Sequence, residues 1–73
     1  MITLNDACND TEYRVAWLTG KRGGYLGKLL DLKTGSTMRV ISNLGDGGVV
    51  VRIDGHEYAI DARTGYFVKL AAC

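Results

Sequence analysis

The sequence predicts a small, mainly β barrel of about five antiparallel strands, with one short helix between the first two. Three observations predict it. Runs of alternating apolar and polar residues recur at intervals of about 8–12 residues, with turn signals between them. Ten glycines and no prolines in 73 residues supply tight turns made without proline. The pair Asp54-Gly55 sits between two alternating runs and marks a two-residue hairpin, whose central residues both take positive φ.

The elements follow in chain order. Leu4 to Cys8 reads as a loose first segment, and Asn9-Asp10-Thr11 as a turn cluster. Tyr13 to Thr19 reads as a strand that places Tyr13, Val15 and Trp17 on one face, with Tyr13 and Trp17 expected in the core. Gly20-Lys21-Arg22-Gly23-Gly24 breaks that pattern as a basic turn. Tyr25 to Leu32 then places Leu26, Leu29 and Leu30 on one helical face, extended by Tyr25 and Leu32. Gly27 costs this helix roughly 1 kcal/mol relative to alanine, so packing must hold it. Gly35 is placed to end it in the left-handed region. Thr37 to Asn43 is the next strand, with Met38, Val40 and Ser42 on one face. Leu44 to Gly48 is a loop. Ala62 to Gly65 is a turn or single helical turn, and Tyr66 to Leu70 a short last strand.

The hairpin is the most determined element. An Asp54-Gly55 turn pairs Ile53 with His56, Arg52 with Glu57, Val51 with Tyr58, Val50 with Ala59 and Val49 with Ile60. One face is then nearly all apolar, and Arg52 meets Glu57 on the other. That pair is worth only about 0.2–1 kcal/mol, but a one-residue slip would lose it and scramble both faces.

Length and composition exclude several function classes. The 73 residues make one domain, 1–73. A domain this small buries about 60% of its unfolded surface and keeps ~3–5 kcal/mol of net stability. It has little room for a deep pocket, a large cofactor and a catalytic constellation together. Net charge is +1, from nine basic and eight acidic residues, and this balance argues against a dedicated nucleic-acid binder. No apolar run approaches the ~20 residues of a membrane span. Met1 to Asp10 has neither a basic nor an apolar signal region, which makes a cytoplasmic location the expectation. Cys8 and Cys73 are expected as ordinary reduced thiols, able to pair only if the first and last elements lie side by side. No Cys-x-x-Cys metal motif is present.

Chemistry-bearing residues are sparse. His56, the only histidine, has no nucleophile or orienting partner in a recognisable motif. It is expected at the lip of the hairpin, partly buried against Ile53. The carboxylates are scattered, and Asp46 alone is a poor hard-cation site, because such a site needs several converging oxygens. The Gly20–Gly24 segment has the strand-then-helix context of a phosphate loop, but its lysine precedes the glycines. The start of the Tyr25 helix remains a possible anion site, against the plainer reading of a solvated basic turn. Tyr25 and Tyr66 are the aromatic candidates for surface contact.

The order of elements resembles the FeoA family, small accessory proteins of ferrous-iron transport. Leu29-Leu30-Asp31-Leu32, Gly35-Ser36, Val40, Leu44-Gly45-Asp46, Val49 to Ile53, Gly55, Ala59-Ile60 and Val68 carry the resemblance, which runs from about Ile2 to Leu70. The chain departs from the family pattern where Lys33-Thr34 and Gly47 stand in place of residues that include proline.

The resemblance implies an SH3-like barrel in the bacterial cytoplasm, with no enzymatic activity and no cofactor. It implies a partner, the cytosolic GTPase-bearing part of the FeoB membrane transporter. The expected partner-binding residues are Lys21, Arg22, Tyr25, Lys28, Leu44 and Asp46. Two alternatives stand beside this reading. One is a small nucleic-acid-binding barrel using Lys21, Arg22, Lys28 and Arg39. The other is a direct iron or anion binder using Asp46, His56 or the Gly20–Gly24 turn. The same domain type also forms the C-terminal module of iron-dependent repressors.

Overall fold

The computed structural model describes residues 1–45 and 47–72. The chain runs through β1 (Ile2–Thr3), a 3-10 turn (Leu4–Asp6), β2 (Thr11–Leu18), α1 (Gly20–Leu30), β3 (Thr37–Asn43), β4 (Val49–Ile53), β5 (His56–Ile60), α2 (Ala62–Gly65) and β6 (Val68–Ala72). The six strands form one antiparallel sheet in the order β1-β6-β2-β3-β4-β5.

The β4–β5 hairpin has the register its turn chemistry dictates, with all five expected pairs present. Asp54 and Gly55 take φ values of 51° and 81°, the double positive φ of a type I′ turn. Val49, Val51, Ile53 and Ile60 point inward and are buried, whereas His56 is exposed. The sequence reading had placed His56 partly against Ile53. His56 lies on β5, the edge strand of the sheet, whereas Ile53 on β4 has neighbours on both sides.

The inner face carries Leu4, Val15, Met38, Val40, Val49, Val51, Val68 and Leu70, all essentially inaccessible. Each such side chain contributes about 1.5–3 kcal/mol by leaving water. Leu4 was expected in a loose segment. It instead sits in the 3-10 turn and plugs the core. Asn5 Nδ2 donates to Ala62 O at 2.7 Å, which holds this turn against α2.

Two bulges shape the sheet. On β2 the register with β6 shifts between Val15, opposite Leu70, and Trp17, opposite Lys69. The extra residue reverses the alternation, so Tyr13 and Val15 point inward but Trp17 turns out and is 61% exposed. This corrects the expectation that Trp17 belongs to the core. On β3 the shift falls between Val40 and Ser42, so Ser42 does not continue the buried Met38–Val40 face.

The helix also differs from expectation at both ends. It begins at Gly20, so the basic glycine segment is its first turns and not a break. Close packing explains the glycines. A Cβ on Gly23 would lie 3.0 Å from the Leu18 backbone carbon, and one on Gly27 would lie 2.8 Å from Leu18 Cδ1. The glycines let α1 approach the end of β2. The helix ends at Asp31, which takes the left-handed conformation at φ 56°, while Leu32 N–H reaches back to Gly27 O at 2.8 Å, a Schellman-type closure. Gly35 instead serves the following loop, where its N–H donates to Val15 O at 2.8 Å. On the exit side, α2 is capped by Asp61, whose carboxylate accepts from Thr64 N–H at 3.1 Å. No helix among the described residues is long and apolar enough to cross a membrane.

Candidate partner-binding surface

Helix α1 carries four of the six sequence-predicted contact residues. Its inner stripe of Gly23, Leu26 and Gly27 is buried, which turns Lys21, Arg22, Tyr25 and Lys28 to solvent. Leu29, one turn beyond Tyr25, joins them, and Tyr25 and Leu29 are 67% and 63% exposed. The leucine periodicity had placed Leu29 inside. The buried stripe is instead set by the glycines, which let the helix pack through its backbone. The outer face is therefore an aromatic–aliphatic pair bordered by three cations.

The earlier start of α1 also revises the anion reading. Only the first four N–H groups of a helix lack partners, and Tyr25 now lies beyond them. Gly23 N–H already donates to Thr19 O at 3.0 Å. The amides at Tyr25 belong to the helix interior and are not open to a ligand.

Leu44 is exposed and opens the loop after β3. Its N–H donates to Gly48 O at 2.9 Å, and Gly45 N–H donates to Asn43 Oδ1 at 2.8 Å. Asp46, expected in the same loop, lies outside the described residues. The loop and the helix are not in direct contact in sequence or along the sheet: α1 leaves the far end of β2, whereas β3 runs back past Thr11 before the loop begins. Asp61 is what lies between them. A Cβ on Gly48 would sit 3.2 Å from Asp61 Cα, and the Asp61 carboxyl is held below its ordinary value. The Thr64 hydrogen bonds are the main cause, with smaller help from the positive charges of Arg22 and Arg63. The α2 segment therefore packs on α1 on one side and, through Asp61, against Gly48 at the end of the Leu44 loop on the other.

A second feature lies on the outward face of the sheet, where sequence reasoning placed only the Arg52–Glu57 pair. Glu12, Arg39, Arg52 and Glu57 stand at consecutive cross-strand positions on β2, β3, β4 and β5. Arg52 is ion-paired with Glu57, and Arg39 with Asp10 at 2.9 Å. A shallow, open cavity of about 240 Å³ is lined there by Glu12, Thr37, Met38, Arg39, Arg52, Asp54 and Gly55. Hairpin register alone could not show it, because the β2–β3 and β3–β4 pairings are long-range.

His56 and Cys8 are both exposed and carry no hydrogen bond to a catalytic partner among the described residues. Cys73 lies outside the described residues. No group of three or more His, Cys, Asp or Glu side chains among the described residues converges as a metal site would require.

The comparisons with solved structures decide the fold. The crystal structure of an iron uptake regulatory protein, FeoA, superposes with a TM-score of 0.80 at 18% identity, covering 96% of this chain and 93% of that one. The chain has the fold of FeoA. The NMR structure of a FeoA-like protein from Clostridium acetobutylicum gives a TM-score of 0.79 at 12% identity, over 97% of this chain and 85% of that one. ScaR with bound zinc also matches, with a TM-score of 0.79 at 18% identity, and here the FeoA-like chain spans only 37% of the larger protein. No protein-family model and no curated protein matches the sequence. The FeoA-like fold is thus used both by proteins little longer than this one and as one part of larger proteins.

Proposed function

We propose that this chain is a cytoplasmic, non-enzymatic accessory module of ferrous-iron transport, which acts by docking on the cytosolic GTPase-bearing part of a FeoB-like transporter. The observation that carries the reading is the end-to-end match to a FeoA structure of nearly the same length. The surface supports it. Helix α1 presents Tyr25 and Leu29 among Lys21, Arg22 and Lys28, an apolar centre with a polar rim of the kind protein interfaces use. Leu44 extends the surface on the far side of the α2 cap.

A pull-down with the immobilised cytosolic domain of the cognate transporter tests the reading. Wild-type chain is retained, and Tyr25→Ala/Leu29→Ala loses most of its retention while keeping its circular dichroism. Retention of neither protein, or equal retention of both, contradicts the docking site. The matches to ScaR and to a manganese-dependent repressor, where the chain spans 37% and 40% of the larger protein, favour a second reading as a regulatory module of a metal-responsive repressor. That reading predicts binding to a DNA-binding domain instead of to the transporter.

A further inference from the structure

The outward face of the sheet is dipolar along β2. At one end lie Asp10, Glu12, Asp54 and Glu57 with Arg39 and Arg52, four carboxylates against two guanidiniums and so a net charge of −2. Further along β2 the outward positions are Arg14, in mid-strand opposite Thr37, and Trp17, near the far end. Trp17 stands opposite Lys69 on β6, and Lys69 Nζ lies 4.5 Å from the centre of the Tyr66 ring. Arg14 and Lys69 give this stretch a net charge of +2 and form no ion pair among the described residues. Trp17 and Tyr66 are 61% and 58% exposed. The β2 bulge is what brings Trp17 out, at the expense of the burial its alternation would have given it.

We propose that this face docks a second copy of the same chain. A two-fold axis lying in the plane between the two apposed faces, perpendicular to β2, lays the acidic end of each copy over the Arg14–Trp17–Lys69–Tyr66 end of the other. Each complementary contact is then made twice, as an isologous interface requires. A nucleic-acid strand or a uniformly acidic protein satisfies the basic end but meets the four carboxylates of the acidic end. A dipolar partner satisfies both, and the chain itself supplies that partner. Trp, Tyr and Arg are also the residue types that concentrate binding energy at interface centres. The patch spans β6 to β5, four strand spacings or about 19 Å, by the length of β2. This lies at the small end of specific interfaces, so the dimer is weak, transient and salt-sensitive.

Sedimentation velocity over a concentration series tests the proposal. At low salt the mass rises from the 7.9 kDa of one chain towards twice that value, and high salt returns it to one chain. Arg14→Glu/Lys69→Glu and Glu12→Lys/Glu57→Lys, each checked for native circular dichroism, stay monomeric alone. An equimolar mixture of the two regains the dimer, because the swapped charges again oppose one another. A wild-type chain that remains monomeric up to millimolar concentration overturns the proposal. So do single variants that associate as well as wild type, or a mixture that does not. A single-stranded oligonucleotide bound by the monomer and lost in Arg14→Glu/Lys69→Glu would assign the face to nucleic acid instead.

Discussion

Gly48→Ala tests how the Leu44 loop is held. Gly48 has φ +120°, which L side chains rarely adopt, and a Cβ there would lie 2.5 Å from Ile60 O and 3.2 Å from Asp61 Cα. Both obstacles are backbone, so no side-chain rotation relieves them. The backbone conformation alone costs about 1–3 kcal/mol, and forcing a methyl into a filled space costs about 1–3 kcal/mol more. A total near 3 kcal/mol is most of the ~3–5 kcal/mol that a core of this size supplies. With a urea dependence of about 1 kcal/mol/M for so small a protein, the unfolding midpoint falls by about 2–3 M. The assay is urea denaturation followed by far-ultraviolet circular dichroism. A midpoint within a few tenths of wild type would refute the packing argument, because it would mean the loop and the β5–α2 junction do not touch as described.

Gly24→Ala is the opposite case. Nothing lies within 4 Å of a Cβ at this helical position, so the substitution raises the urea stability by about 0.5–1 kcal/mol through helix propensity. Trp17→Ala changes stability by less than about 0.5 kcal/mol, as an exposed side chain should, whereas Val15→Ala two residues away loses about 2 kcal/mol or more. Because Trp17 is the only tryptophan, the emission of the dilute folded protein already resembles that of tryptophan in water and moves little on unfolding. Asp61→Asn flattens the acid limb of the stability curve. The folded-state pKa of Asp61 lies below the ordinary value of 3.8, so its contribution is complete above that value and is lost as pH falls below it through the lowered value. Thermal unfolding between neutral pH and pH 3 therefore shows wild type losing more stability than Asp61→Asn over the acid range, and parallel curves would contradict the capping role.

Local signals carried much of the fold. The hairpin was legible in full because Asp54-Gly55 sets its register through two adjacent residues, with no need for distant information. β3 was legible as far as Val40, because Thr37 to Val40 alternates, but the bulge before Ser42 was not. Trp17 was misplaced because a bulge inserts one residue without leaving a mark in the sequence: the shift exists only relative to Lys69 and Leu70 on β6. The start of α1 was misplaced because glycine lowers helix propensity, while the reason Gly23 and Gly27 are tolerated lies in their approach to Leu18. The surface followed the same division. Lys21 and Arg22 were read as a solvated basic turn and Tyr25 as a surface aromatic by residue type, and all three are exposed; the Glu12–Arg39–Arg52–Glu57 row was not legible, because Glu12 lies far from the others in sequence.

The central claim is that a FeoA-like module docks through α1 and the Leu44 loop. The most direct measurement is a titration of the ¹⁵N-labelled chain with the soluble cytosolic domain of its cognate transporter, read residue by residue. The account predicts shifts or broadening concentrated at Lys21, Arg22, Tyr25, Lys28, Leu29 and Leu44, with the β4–β5 hairpin tip at Asp54 and Gly55 unaffected. An unchanged spectrum at high micromolar partner, or shifts centred on the hairpin tip, would contradict it.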